Sequence, residues 1–233
     1  MKCRVFDPLN DLLAGATGIM GGSFDPVQSA HIEKALAARR VLKLDEVIFV
    51  PAATSPYKPD GPVASNEDRL AMLRLITDRI GGLSVSNVEL KREGVSYTLP
   101  TMRLFGAPER DLVMIVGTDA FLTIKTWHKW RELLKLVHVV VIPRPGSVLK
   151  DPNDVIPGLK WQEEIRSDAG RSWVSDDKRY LVWLDLPMSD VSSTEVRRLI
   201  AAGESYAYFV PPGVDAYVEQ HGLYRQKDDA DGQ

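Results

Sequence analysis

Short, uniformly apolar runs alternate along the chain with longer stretches whose apolar residues recur every three or four positions. Runs at 15–21, 46–51, 83–88, 111–117, 137–142 and 180–186 predict strands. Their uniform apolarity suits a sheet covered on both faces. Between them, Ile32, Ala35 and Leu36 share one face of a helix over 32–42. Leu70, Leu73, Ile76 and Ile80 do the same over 65–80, with Ser65 and Asp68 as a capping pair. Further helical patterns cover 99–105, the segment with Trp127 and Trp130, and the stretch with Val196, Leu199 and Ile200. A last helix follows Pro211-Pro212 and stops at Gly222. Residues 1–14 show no period and read as an N-terminal extension. Residues 147–177 are polar and weakly periodic, and read as a long loop or small insertion. Residues 226–233 form a polar, acidic tail expected to be disordered.

This alternation predicts an α/β fold: a doubly wound parallel sheet over 15–190, with a small helical subdomain over 191–225. Ligands of such sheets sit outside the carboxyl ends of the strands. At 233 residues the chain can bury a full core, and 44% hydrophobic with 26% charged residues is ordinary globular composition. A net charge of −3 gives no reason to expect nonspecific nucleic-acid binding. The single cysteine, Cys3, excludes an internal disulfide and a Cys-rich zinc site, and the histidines lack zinc-protease spacing. No apolar run is long enough to span a membrane. The run at 12–20 is glycine-broken and preceded by Asp7 and Asp11, unlike a signal peptide, so a cytoplasmic location is expected. A homo-oligomer is left open.

Two stretches carry candidate chemistry. In the first, Gly21-Gly22 follows the first strand, the chain turns at Asp25-Pro26, and His31 stands at the start of a helix. Glycines let backbone N–H groups approach a ligand, and a helix start offers unpaired N–H groups with partial positive charge. That describes a phosphate site, although an ordinary strand-to-helix turn fits the same residues. It is neither a dinucleotide fingerprint nor a Walker A loop. In the second, Ser192 and Glu195 fit a capping box. The hydroxyls of Ser192, Ser193 and Thr194, with Arg197 one to two turns along, equally fit a seat for a polyphosphate.

Gly21-Gly22-Ser23-Phe24-Asp25-Pro26 with His31 resembles the GG(S/T)FDPxHxGH signature of the nicotinate-nucleotide adenylyltransferases. Gln28 stands where that family has its first histidine, and Ala30 where it has glycine. The stretch 191–197 is similar to the family's ISSTxxR motif, which holds the β- and γ-phosphates of ATP. Gly117-Thr118-Asp119-Ala120 resembles its GxDA segment, whose aspartate holds a ribose; from the residues alone Asp119 is a helix cap. Trp127 and Trp130 match TWxxW, whose first tryptophan stacks on the pyridine ring, while Trp130 reads as core. Ser96-Tyr97-Thr98 matches the SYT segment that meets the nicotinate carboxylate. In the proline-rich loop Tyr57 replaces a histidine beside Lys58. The likeness runs from about residue 18 to 224.

The resemblance implies a Rossmann-like domain that transfers AMP from ATP to the phosphate of nicotinate mononucleotide, releasing pyrophosphate and forming deamido-NAD. It implies His31, Arg197 and Lys58 in catalysis. ATP would be bound by Gly21, Gly22, Ser23, Phe24, Gln28, Gly117, Asp119, Ser192, Ser193 and Thr194, and the mononucleotide by Tyr97, Thr98 and Trp127. Magnesium would be carried by substrate phosphates and water, with no protein ligand cluster, and neither nucleic acid nor membrane is an expected partner. Two alternatives stay open. One is a related adenylyltransferase acting on nicotinamide mononucleotide or pantetheine phosphate; the other is a nucleotide-binding module whose chemistry is impaired by Gln28.

Overall fold

The computed structural model describes residues 7–56, 61–106, 111–148, 150–186, 189 and 191–225. In chain order the strands are β1 (Thr17–Gly22), β2 (Glu46–Pro51), β3 (Leu83–Val85), β4 (Leu112–Gly117), β5 (His138–Ile142), β6 (Trp161–Ser167), β7 (Gly170–Ser175) and β8 (Tyr180–Leu184). The helices are α1 (Ser29–Leu42), α2 (Asn66–Thr77), α3 (Thr98–Phe105), α4 (Thr118–Leu122), α5 (Trp130–Leu136), α6 (Pro152–Val155), α7 (Ser193–Ala201) and α8 (Val214–Gln220). All strands join one sheet in the order β3-β2-β1-β4-β5-β8-β7-β6. From β3 to β8 every neighbouring pair is parallel. None of the described helices is long and apolar enough to cross a membrane.

The uniform apolarity of the inner strands follows from the pleat, which sends successive side chains to opposite faces. Met20, Phe49, Ile115, Val140 and Val182 face a core closed by Ala35 of α1, Leu73 of α2, Val196 of α7 and Val218 of α8. Ile19, Ile48, Met114, Val139 and Leu181 face a second core closed by Leu99 and Met102 of α3 and Leu133 of α5. The helical residues beyond 191 thus share a core with the central strands. Residues 8–11 form a 3-10 turn capped by the Asp7 carboxylate, and Leu9 and Leu13 are buried in the first core.

Residues 147–177, expected as a long loop or small insertion, are a small insertion with secondary structure of its own. They contain α6 and the hairpin β6–β7, which extends the sheet in antiparallel sense beyond β8. The periodicity hid β6 because it is an edge strand. Trp161 is buried, Gln162, Glu163 and Glu164 are exposed, and a bulge between Glu163 and Ile165 breaks the alternation. Glu163 pairs with Arg166 and Arg171, charges suited to an exposed edge. The hairpin is tied back to the N-terminal turn by Ser167, whose hydroxyl donates to Asp7 Oδ2 at 3.1 Å.

At the amino ends of the strands, far from the ligand side, His138 is buried with its Nδ1 accepting the Tyr180 N–H at 2.9 Å. Burial holds its pKa below the ordinary value, with Arg179 adding to the effect and Asp111 opposing it. The unfolded chain therefore takes up a proton near pH 6.5 that the folded chain refuses. Stability should fall as pH drops below about 6.5, with His138 steepening the slope by up to about 1.4 kcal/mol per pH unit. Urea unfolding between pH 7.5 and 5.5 checks this: His138→Gln should flatten the dependence, and equal slopes for both proteins would contradict it.

Candidate active site

A cavity of about 350 Å³ opens at the carboxyl ends of β1, β2 and β4. Strand β1 lies between β2 and β4, so this is where the sheet reverses its winding direction. Its floor is the β1 loop, Gly21, Gly22 and Ser23, with His31 and Lys34 from α1. The opposite wall carries Ser96, Thr98, Thr101 and Glu89, and the remaining side Gly117, Asp119, Trp127 and Arg144.

The loop after β1 is shaped by buried charge. Asp25 is 3% exposed, and its carboxylate accepts the Val63 N–H at 2.7 Å, the Ala64 N–H at 3.0 Å and the Tyr224 hydroxyl at 2.8 Å. Arg197 Nη1 stands 3.6 Å from Asp25 Oδ2 and donates to the Asp25 carbonyl at 2.6 Å. Burial, with Asp25 beside it, raises the Tyr224 phenol well above its usual range. On the other side Arg69, fully buried, donates to the carbonyls of Ser23 at 2.7 Å and Ala52 at 2.9 Å. One guanidinium therefore ties the loops after β1 and β2 together, and Asp25 is the foremost charge opposing its desolvation. Phe24, in a left-handed backbone conformation at φ 49°, packs its ring under Gly22 and edge-on to His31 at 5.0 Å.

His31 occupies the third position of α1, and its Nδ1 faces the Gln28 backbone N–H at 3.2 Å. A ring nitrogen that accepts is unprotonated, which assigns the remaining proton to Nε2. Helix α7 grips the same loop. Ser192 caps it by accepting the Glu195 N–H at 3.1 Å, and the Ser193 hydroxyl donates to the Pro26 carbonyl at 3.0 Å. The Gln28 amide donates to Ser193 Oγ at 3.1 Å, and Arg197 Nη2 reaches Thr194 Oγ1 at 3.3 Å. The starts of α1 and α7 thus converge on one loop.

At the far wall Thr101 donates to Glu89 at 2.5 Å, and burial pushes the Glu89 carboxyl up against the opposing pull of Thr101, Arg92 and Ser96. Thr98 opens α3, with Tyr97 just before it, its ring 4.5 Å from that of His128. Asp119, exposed, lies 3.4 Å from Arg144.

Of the residues singled out from the sequence, Gly21, Gly22, Ser23, His31, Thr98, Gly117, Asp119 and Trp127 line the cavity. Phe24, Gln28, Tyr97, Ser192, Ser193, Thr194 and Arg197 are not among its described lining residues; they shape or adjoin the loops behind it. Lys58 lies outside the described residues. Lys34, Glu89 and Arg144 were not foreseen. Lys34 was legible, since three positions beyond His31 is one helical face. Arg144 closes the run after β5, whereas nothing local marks Glu89 as buried. Among the described residues no three His, Cys, Asp or Glu side chains gather as a metal site.

A family model described as cytidylyltransferase-like matches residues 19–199, and the chain belongs to that family of nucleotidyltransferases. Its relatives include proteins named probable nicotinate-nucleotide adenylyltransferase. The one from Pseudomonas syringae pv. tomato is 39% identical over 89% of this chain and 93% of its own. The one from Desulfatibacillum aliphaticivorans is 33% identical over 89% of this chain and 98% of its own. The fold matches the Plasmodium falciparum nicotinic acid mononucleotide adenylyltransferase complexed with NaAD. The TM-score is 0.68 at 18% identity, covering 90% of this chain and 97% of that one.

Removing the charge of Asp25 should be costly, because it leaves Arg69 buried without its counter-charge. Asp25→Asn should lower unfolding free energy by about 3 kcal/mol, and Tyr224→Phe, which deletes one of several donors, by about 1 kcal/mol. Denaturant unfolding measures both. An Asp25→Asn protein as stable as the native one would deny the carboxylate its organising part.

Proposed function

We propose that the chain transfers AMP from ATP to the phosphate of nicotinate mononucleotide, forming deamido-NAD and pyrophosphate. The observation that carries this reading is the His31 ring, held by the Gln28 N–H on the wall of the cavity it shares with the glycine loop. The names of the relatives support the choice of substrates.

The attacking phosphate is already anionic, so no general base or covalent intermediate is required. Catalysis is positioning and charge stabilisation. His31 Nε2–H donates to an α-phosphate oxygen as negative charge accumulates there. Backbone N–H groups of the 21–23 loop and the start of α1 carry the phosphates, and Lys34 adds a cation on the same helix face. The start of α7, with Ser192, Ser193, Thr194 and Arg197, receives the leaving pyrophosphate. Lys58 assists as a second cation. Asp119 accepts from a ribose hydroxyl, and Phe24 supports the loop from beneath. Trp127 offers its face to the pyridine ring. The nicotinate carboxylate meets Thr98 and the first-turn N–H groups of α3, with Tyr97 shaping that turn.

A magnesium ion would accompany ATP as substrate. Asp25 has its oxygens committed to Val63, Ala64 and Tyr224, so the ion would be held by phosphate oxygens and water. Such an ion would supply screening of the phosphate charge.

Pyrophosphate release with ATP and each acceptor tests the reading. Nicotinate mononucleotide should exceed nicotinamide mononucleotide by at least about tenfold in kcat/KM, roughly 1.4 kcal/mol, with pantetheine phosphate inactive. Equal use of both mononucleotides, or no turnover with any acceptor, would overturn it.

His31→Ala should lower kcat by roughly 10²–10³, as loss of one preorganised donor does, while the KM for ATP moves within a few-fold. Steady-state kinetics checks this. Near-native turnover would remove His31 from the mechanism.

A further inference from the structure

The Gln28 side chain is almost wholly buried, 5% of the residue being exposed, and it joins segments 165 positions apart. Its amide donates to Ser193 Oγ at 3.1 Å, and the Ser193 O–H donates in turn to the Pro26 carbonyl at 3.0 Å. The side chain takes part in the capping box that opens α1, and the bond it makes across the fold is through its donor half. The backbone of the same residue acts on the other side, since the Gln28 N–H meets His31 Nδ1 at 3.2 Å. One residue thus touches the imidazole at the start of α1 and the hydroxyl at the start of α7. A second link reinforces the pairing: Glu33 of α1 accepts from both the hydroxyl and the backbone N–H of Ser189.

We propose that Gln28 is a positioning residue that couples the two ends of the triphosphate seat. Through its N–H it orients His31 toward the α-phosphate, and through its amide it sets the start of α7, via Ser193, against the loop that carries the same nucleotide. It does not itself donate to the phosphates. The proposal rests on the adenylyl-transfer reading for its kinetic readout, but ATP binding reports on it independently.

The test uses Gln28→Leu, which keeps the size and removes the donor, with Ser193→Ala, the double variant and Gln28→His. Four quantities are measured: KM for ATP, KM for nicotinate mononucleotide, the dissociation constant of ATP alone by calorimetry, and the thermal midpoint. Gln28→Leu and Ser193→Ala should each weaken ATP about tenfold in KM and in direct binding. The KM for the mononucleotide should stay within twofold. The double variant should be no worse than Ser193→Ala alone, because Ser193→Ala, besides losing the bond to the Pro26 carbonyl, already removes the one contact that Gln28→Leu deletes. Gln28→His, which restores an N–H donor, should recover ATP affinity to within about threefold.

Multiplying effects in the double variant would overturn the proposal, as would ATP affinity unchanged in Gln28→Leu. Equal weakening of both substrates with a lowered thermal midpoint would also overturn it, by reducing Gln28 to a packing role. If Gln28→Leu does not fold, Ser193→Ala decides: native ATP binding there defeats the proposal. A wild-type protein that binds ATP but transfers no adenylyl group would defeat the functional reading, while the coupling in ATP binding would still decide the proposal.

Discussion

A single buried carboxylate governs the site. An ionised Asp25 removed from water would be prohibitively unfavourable without partners. Its partners come from residues 63 and 64, from Arg197 and from Tyr224, the last 199 positions away. Satisfying the carboxylate therefore requires that α7 and the residues after α8 are already docked. The shape of the loop after β1 and the closure of the C-terminal region become one event.

Arg69 performs the complementary task from below. Its Nη1 donates to carbonyls of both loops at once, while Nη2 donates to the Asn66 side-chain oxygen within α2. Between this cation and Asp25 the loop is held from both sides, and Gly21, Gly22 and Ser23 line the cavity. Arg197 is likewise pinned before any ligand arrives, by the Asp25 carbonyl and the Thr194 hydroxyl. Donors fixed in advance need no reorganisation as charge moves, the condition under which electrostatic stabilisation is most effective. The opposite wall of the cavity is built differently, from the start of α3, an aromatic face and a buried carboxyl engaged by Thr101.

The anchors were legible in the sequence because each is local. The glycines, the Asp-Pro turn and His31 fall within one strand-to-helix connection, and Ser192 with Glu195 lies within one helical turn. The strands were legible where burial is two-sided. The hairpin of β6 and β7 was not, since an edge strand with a bulge keeps neither uniform apolarity nor strict alternation. Glu89 was illegible for another reason. A glutamate in a polar stretch looks solvated until α3 is laid over it and Thr101 reaches its oxygen.

The sequence by itself determined the alternation of strands and helices, the apolar faces of the main helices, and which two helix starts carry the residues of a candidate site. These follow from a pleat of period two, a helix of period near 3.6 and backbone preferences that act over a few residues. Only the tertiary structure decided that Gln28 turns its donor to Ser193, that Asp25 looks inward to Tyr224 and Arg197, and that Lys34 and Arg144 share one cavity. Hydrogen bonds and charge pairs of buried groups depend on which distant elements dock beside them, and no local periodicity carries that information.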